Sequence, residues 1–248
     1  MSDLLNGKTA IITGGAGGIG SRIAKAYVAE GAQVVIASRS QKKLDAVLPE
    51  LGDNAIAVAT DVTDPAQVDN MVNRTVEHFG TVDIMVNNAG GAMFVKPPEL
   101  LTPDEWNAAL ALNLTSVFLC SAAAGKVMIE NKSGKIINIS SIAGVRMSPA
   151  FVHYGAAKAG VINLTKSLAS NWGRYNININ CIAPGLTATE GVADWLPAKE
   201  KKDGSPVPPL EFPPDPEHVA QLAVFLASSG SERISGELFP IRALTELA

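Results

Sequence analysis

The chain has 248 residues, 47% of them hydrophobic, enough for a sizeable core in one α/β domain or two small ones. Its net charge of -4, with acidic and basic residues mixed along the chain, gives no reason to expect a nucleic-acid partner. Cys120 and Cys181 lie in apolar runs and read as reduced core residues, while His78, His153 and His218 lack metal-ligand spacing, so no metal is expected.

The opening MSDLLNGKTAIITGG has no apolar stretch of signal-peptide length, and no uninterrupted apolar run approaches the length of a membrane span. A cytoplasmic protein without membrane contact is expected. Strands are predicted at about 8–13, 33–37, 55–60, 82–86, 135–140, 177–182 and 236–241. Helices are predicted at about 18–30, 40–48, 65–79, 103–130, 153–173 and 216–228. The alternation implies βαβ units, and the near-continuous apolar strands imply a sheet covered on both faces. The expected fold is therefore α/β: a Rossmann-type, doubly wound parallel sheet of about seven strands in one domain, 1–248.

The first strand runs into Thr13-Gly14-Gly15-Ala16-Gly17-Gly18-Ile19-Gly20. Glycines here allow a tight turn, let the backbone approach a pyrophosphate, and place that anion at a helix N-terminus, so Gly14, Gly17, Gly18, Ile19 and Gly20 are candidate dinucleotide contacts. The second strand ends at Ser38-Arg39, where an acidic residue would bind the ribose hydroxyls of NAD. Ser38 cannot repel a phosphate and Arg39 offers donors for one, which favours NADP (NADPH) and leaves NAD as the other cofactor; Arg39 also reads as an ordinary surface residue. Asp61 and Val62 end the third strand, and Asn87-Asn88-Ala89-Gly90 ends the fourth, placing Asp61, Val62, Asn88, Ala89 and Gly90 near adenine and its ribose; asparagine is also a common turn former.

Tyr154 and Lys158 stand one helical turn apart in AFVHYGAAKAG, on one face of the helix. Taken alone, the pair also fits a core tyrosine beside a solvated lysine. The segment 190–216 carries Pro206, Pro208, Pro209, Pro213, Pro214 and Pro216, which exclude a continuous helix; its place beyond a strand end suits a lid or substrate loop.

Together these residues resemble the short-chain dehydrogenase/reductase family over residues 5 to 240. The matches are the Thr-Gly-x-x-x-Gly-x-Gly loop at Thr13 to Gly20, Asn-Asn-Ala-Gly at 87–90, Asn113, Ser141 lying 13 residues before Tyr154, Tyr154-x-x-x-Lys158, and Pro184-Gly185 with Thr189. The resemblance implies an NAD(P)-dependent enzyme acting on CH-OH groups, with Asn113, Ser141, Tyr154 and Lys158 catalytic. It also implies that Tyr154 and Lys158 touch the cofactor, that Lys158 holds the nicotinamide ribose, and that Asn113 holds a water of the proton relay. Pro184, Gly185, Thr187 and Thr189 would flank the nicotinamide.

An unperturbed tyrosine, with a pKa of about 10, is a poor base near neutrality, and a lysine ammonium beside it is expected to lower that value. Ser141 would stabilise charge on the substrate oxygen; adjacent Ser140 is equally polar, so the choice between them rests on the spacing to Tyr154. The chain departs from the family at Thr187, where an aliphatic residue is usual, and at Pro240-Ile241-Arg242, which replaces a diglycine end.

The expected substrate wall comes from 91–98, 142–152 and 190–216, with Met93, Val145, Met147, Phe151 and Trp195 as contacts. It is mostly apolar and suits a hydrophobic ketone and its secondary alcohol. The alternatives are a 3-oxoacyl thioester on acyl carrier protein or coenzyme A, or NAD-linked alcohol oxidation; a dinucleotide-binding protein without turnover is the distant one. Lys199, Lys201 and Lys202 could attract a phosphate-bearing carrier, but solvation of a loop explains them better. Long apolar helices at 103–130 and 153–173 point to a homotetramer or a homodimer.

Overall fold

The computed structural model describes residues 3–201 and 203–244, so Lys202 of the lysine run lies outside the described residues. Seven parallel strands form one sheet: β1 (Thr9–Thr13), β2 (Gln33–Ser38), β3 (Ala55–Ala59), β4 (Ile84–Asn87), β5 (Gly134–Ile139), β6 (Ile177–Pro184) and β7 (Leu238–Ile241). Their order, β3-β2-β1-β4-β5-β6-β7, reverses direction between β1 and β4, where a doubly wound sheet opens its ligand crevice. Pro240 is tolerated because β7 is an edge strand.

Strand alternation divides the apolar side chains between two cores. Ala10, Ile12, Val34 and Ile36 pack with Ile23 and Tyr27 of α1 (Gly18–Ala29) and with Val219 and Ala223 of α7 (Pro216–Ala227). On the other face, Ile11, Val35 and Met85 pack with Val68 and Met71 of α3 (Pro65–Phe79) and with helix residues Cys120, Ala124 and Met128. This partition explains why strands buried on both faces read as continuous apolar runs.

Local chemistry sets the helix ends. The Ser40 hydroxyl accepts from Lys43 N at the start of α2 (Gln41–Val47). Asp64 accepts from the amides of Ala66 and Gln67 ahead of Pro65, and α3 stops at left-handed Gly80. Thr102 and Glu105 form a reciprocal capping box that starts α4 (Pro103–Leu110).

The helix expected over 103–130 is found as Pro103–Asn131, with one wider π turn at Ala111–Thr115 between α4 and α5 (Ser116–Asn131). Ser116 Oγ donates back to Leu112 O at 2.6 Å across this turn, which brings Asn113 into the buried interior. By length and composition Pro103–Asn131 could cross a membrane, but Cys120, Ala123, Ala124 and Met128 are part of the domain core. The last long helix, α6 (Val152–Trp172), carries Tyr154 and Lys158. Segment 190–216 forms short 3-10 turns and a small antiparallel bridge between Glu200 and Pro206, closed by Lys201 N donating to Ser205 O at 2.7 Å.

Candidate active site

A cleft of about 570 Å³ opens beyond the C-terminal ends of β1, β4, β5 and β6. Among the expected residues it gathers Gly14, Gly17, Gly18, Ile19, Asn88, Ala89, Gly90, Ser141, Phe151, Tyr154, Lys158, Pro184, Gly185, Thr187, Thr189 and Trp195. Another cavity, about 610 Å³, lies at the opposite end of the sheet among Lys8, Asp83, Lys135 and Arg233, and none of the expected site residues line it.

The β1–α1 turn is shaped for a close backbone approach. Gly14 has φ +65°, and a Cβ there would stand 2.8 Å from Asn88 Nδ2, while a Cβ on Gly20 would collide with the Gly14 carbonyl. Asn88 donates to Thr13 O at 3.0 Å and Gly14 O at 3.3 Å, tying the turn to β4. Thr13 Oγ1 accepts from the amides of Asn88 and Ala89 at 3.0 and 3.1 Å. Asn88 thus spends its amide group on holding the turn. A tight turn before the N-terminus of the twelve-residue α1 fits the pyrophosphate of a dinucleotide. Opposite, Thr187 is buried and its hydroxyl donates to Gly185 O at 3.1 Å, and Thr189 Cγ2 stands 3.8 Å from where a Cβ on Gly18 would lie.

Of the expected adenosine contacts, Ser38 is the last residue of β2, Arg39 follows it, and Asp61 and Val62 lie past the end of β3, all outside the main cleft. Arg39 is exposed. The hydroxyl and amide of Thr63 hold the Asp61 carboxyl below the usual carboxylate range, with the Arg39 charge adding to the effect. Val62 faces the core with Val58 and Val68, so only its backbone is available to a ligand.

At the reacting end the two serines separate. Ser140 is buried and donates to Lys158 O at 2.7 Å, whereas Ser141 is half-buried in the cleft, its oxygen accepting from Ala143 N at 3.2 Å. Lys158 is 3% exposed, donates from Nζ to Ile139 O at 2.8 Å, and stands 5.6 Å from the centre of the Tyr154 ring. Burial lowers the Lys158 ammonium to about 8, the neighbouring Cys181 opposing the shift.

The expected lowering of the Tyr154 pKa is overturned. Burial raises Tyr154 above the ordinary phenol value, and the Ser141 hydroxyl beside it opposes the rise. The lysine charge that was to favour the tyrosinate is itself costly to keep in the same buried site. Asn113 is fully buried: Oδ1 accepts from Gly91 N at 2.9 Å, and Nδ2 donates to Gly91 O at 3.1 Å and Ala109 O at 3.0 Å. Both amide hydrogens are used, which leaves an Oδ1 lone pair as the place where a water could bind.

The substrate wall differs most from expectation. Met147 is 90% exposed and borders a separate shallow groove with Arg146, Pro149 and Val152, and half-exposed Val145 also lies outside the cleft. The turn Ile142–Gly144 carries the chain out of the cleft at these two positions. Met93 does not line the cleft either, and its carbonyl meets the His153 ring. Ala92, Ala143, Leu186 and Val192 line it without having been singled out. Their nearness to Gly90, Ser141, Gly185 and Thr189 in sequence was the available signal.

The fold and the cleft define a nucleotide-dependent oxidoreductase. The family model for short chain dehydrogenases matches residues 8–200. The chain is 37% identical over 249 residues to a 3-oxoacyl-[acyl-carrier-protein] reductase of Synechocystis sp., covering 96% of each. It is 37% identical over 248 residues to the enzyme of the same name in Chlamydia trachomatis, covering 97% of this chain and 98% of the relative. The crystal structure of levodione reductase superposes with a TM-score of 0.88 at 31% identity, covering 96% of this chain and 97% of the other. The chain belongs to the short-chain dehydrogenase family and is an NAD(P)-dependent oxidoreductase acting on CH-OH groups.

Proposed function

We propose that this protein uses NADPH to reduce the 3-oxo group of an acyl thioester, carried on acyl carrier protein or coenzyme A. The observation that carries this reading is that the Tyr154 and Ser141 side chains line the same cleft, a proton donor and a second hydroxyl available to one substrate oxygen. The names of the relatives in Synechocystis and Chlamydia support the substrate class. So does the cleft's apolar rim of Leu186, Val192 and Trp195, the last 63% exposed, along which an acyl chain can lie while its carrier stays in solvent.

In this reading Ser141 donates a hydrogen bond to the carbonyl oxygen and Tyr154 gives that oxygen its proton. The bound dinucleotide supplies the hydride. Lys158, fixed by Ile139 O, would hold the nicotinamide ribose, and the Gly14–Gly20 turn would take the pyrophosphate. Ser38 and Arg39 take the 2′-phosphate of NADP. The apolar α4–α5 surface, with exposed Trp106 and Phe118, forms the contact of a homotetramer in the cytoplasm.

A second reading, reduction of a free hydrophobic ketone, is favoured by one feature of the loop. Lys199 stacks over Phe212 at 6.0 Å and Lys201 pairs with Glu211 at 3.4 Å, so both cations are engaged within the loop instead of facing a carrier. Initial rates of NADPH oxidation with a 3-oxoacyl thioester and with a ketone of the same chain length decide between the two. The proposal expects the thioester to be preferred; equal or better turnover of the ketone overturns it.

A further inference from the structure

Residues 91–93 directly follow the Asn-Asn-Ala-Gly turn; Gly91 and Ala92 line the cleft, and the segment is held from two sides. On one side Asn113 engages both the amide and the carbonyl of Gly91. On the other, the carbonyl of Met93 lies 2.6 Å from His153 Nε2. Ala92, between these two anchors, lines the cleft. The next residue, Phe94, is left-handed at φ +53°, a costly conformation for an aromatic residue that needs surrounding contacts to persist. Its ring lies 6.2 Å from the His153 ring.

His153 is 1% exposed and belongs to the first turn of α6, immediately before Tyr154. A carbonyl oxygen only accepts, so Nε2 carries the hydrogen. Among the described residues Nδ1 is buried with no hydrogen-bond partner. A phenyl or aliphatic side chain would fill this space without an orphaned polar atom, so what the imidazole adds here is its single donor contact.

We propose that His153 is a positioning residue: with a hydrogen on Nε2 donated to the Met93 carbonyl, it fixes the substrate wall at Ala92 relative to the proton donor Tyr154. The assignment extends the reductase reading to the substrate-loop side of the same site. Loss of the anchor frees the loop from Met93 onward while the β1–α1 turn, held through Thr13 and Asn88, keeps its shape. Its signature is therefore poorer use of the substrate with the dinucleotide bound as before.

The test combines 15N spectra of histidine-labelled, unliganded wild type with the kinetics of His153→Leu and His153→Gln. The glutamine amide nitrogen can replace Nε2 as a donor. Expected are a hydrogen on Nε2, a rise in KM of about ten-fold or more in the leucine variant, NADPH affinity within about two-fold of wild type, and recovery of most of the loss in the glutamine variant. An Nδ1–H tautomer, an unchanged KM in the leucine variant, or equal loss of substrate and cofactor binding in both variants overturns the assignment. The tautomer is read without any substrate, so it stands or falls apart from the choice between thioester and ketone.

Discussion

The two sides of the cleft are built on different principles. On the dinucleotide side, backbone meets backbone: a Cβ at Gly14 or Gly20 has no room, and Thr13 and Asn88 tie the turn to the neighbouring strand. On the substrate side, loops 91–98 and 190–216 are held by side chains, through Asn113, His153 and pairs such as Lys96–Glu105 and Lys201–Glu211. A wall made of backbone tolerates few sequences and keeps one ligand, whereas a wall held by side chains can change its substrate without changing the fold.

Lys158→Met sharpens this contrast most strongly. Turnover should fall by about 100-fold or more, because the tyrosine and ribose lose their cation. In contrast, the cofactor-free protein should melt higher, because keeping the buried ammonium charged below its pKa of about 8 costs the fold. The folded pKa lies below the unfolded one. The cost is therefore complete below about pH 8 and lifts as pH rises toward the unfolded lysine value, so the stability gain of the variant should shrink between these limits. A lower melting temperature at pH 7 would contradict the burial argument.

Gly20→Ala should come next, weakening NADPH binding by about ten-fold or more and lowering stability by about 1–3 kcal/mol, since backbone must shift to admit the methyl group. Titration calorimetry and thermal melts read both effects. Arg39→Ala should weaken NADPH binding by about ten-fold and leave NADH unchanged, the loss of one charge-assisted contact; equal behaviour of the two cofactors would remove the phosphate role. The smallest effects fall on the substrate side. Trp195→Ala should raise KM by a few-fold at unchanged kcat, and Met147→Ser should change neither, because Met147 lies outside the cleft.

The same division governs what the sequence could tell. Strand and helix positions were legible because strands covered on both faces read as apolar runs and helices such as α3 carry capped ends. The glycine turn was legible because its backbone geometry admits few residues. The π turn at Ala111–Thr115 was not, since no residue type marks a single wider turn inside a helix. Met147 and Val145 were placed in the wall by apolar character alone, and nothing in side-chain type says which way a loop turns. The sign of the Tyr154 shift also escaped the motif, because a Tyr-x-x-x-Lys spacing gives proximity and not burial.

The most direct test of the account is the Tyr154→Phe variant, with NADPH binding and the rate of substrate reduction measured on the same preparation. The account predicts near-wild-type NADPH affinity and a fall in kcat of about 100-fold or more, the contribution of a positioned general acid. A variant that binds NADPH and reduces substrate at the wild-type rate would contradict the assignment of Tyr154 as proton donor.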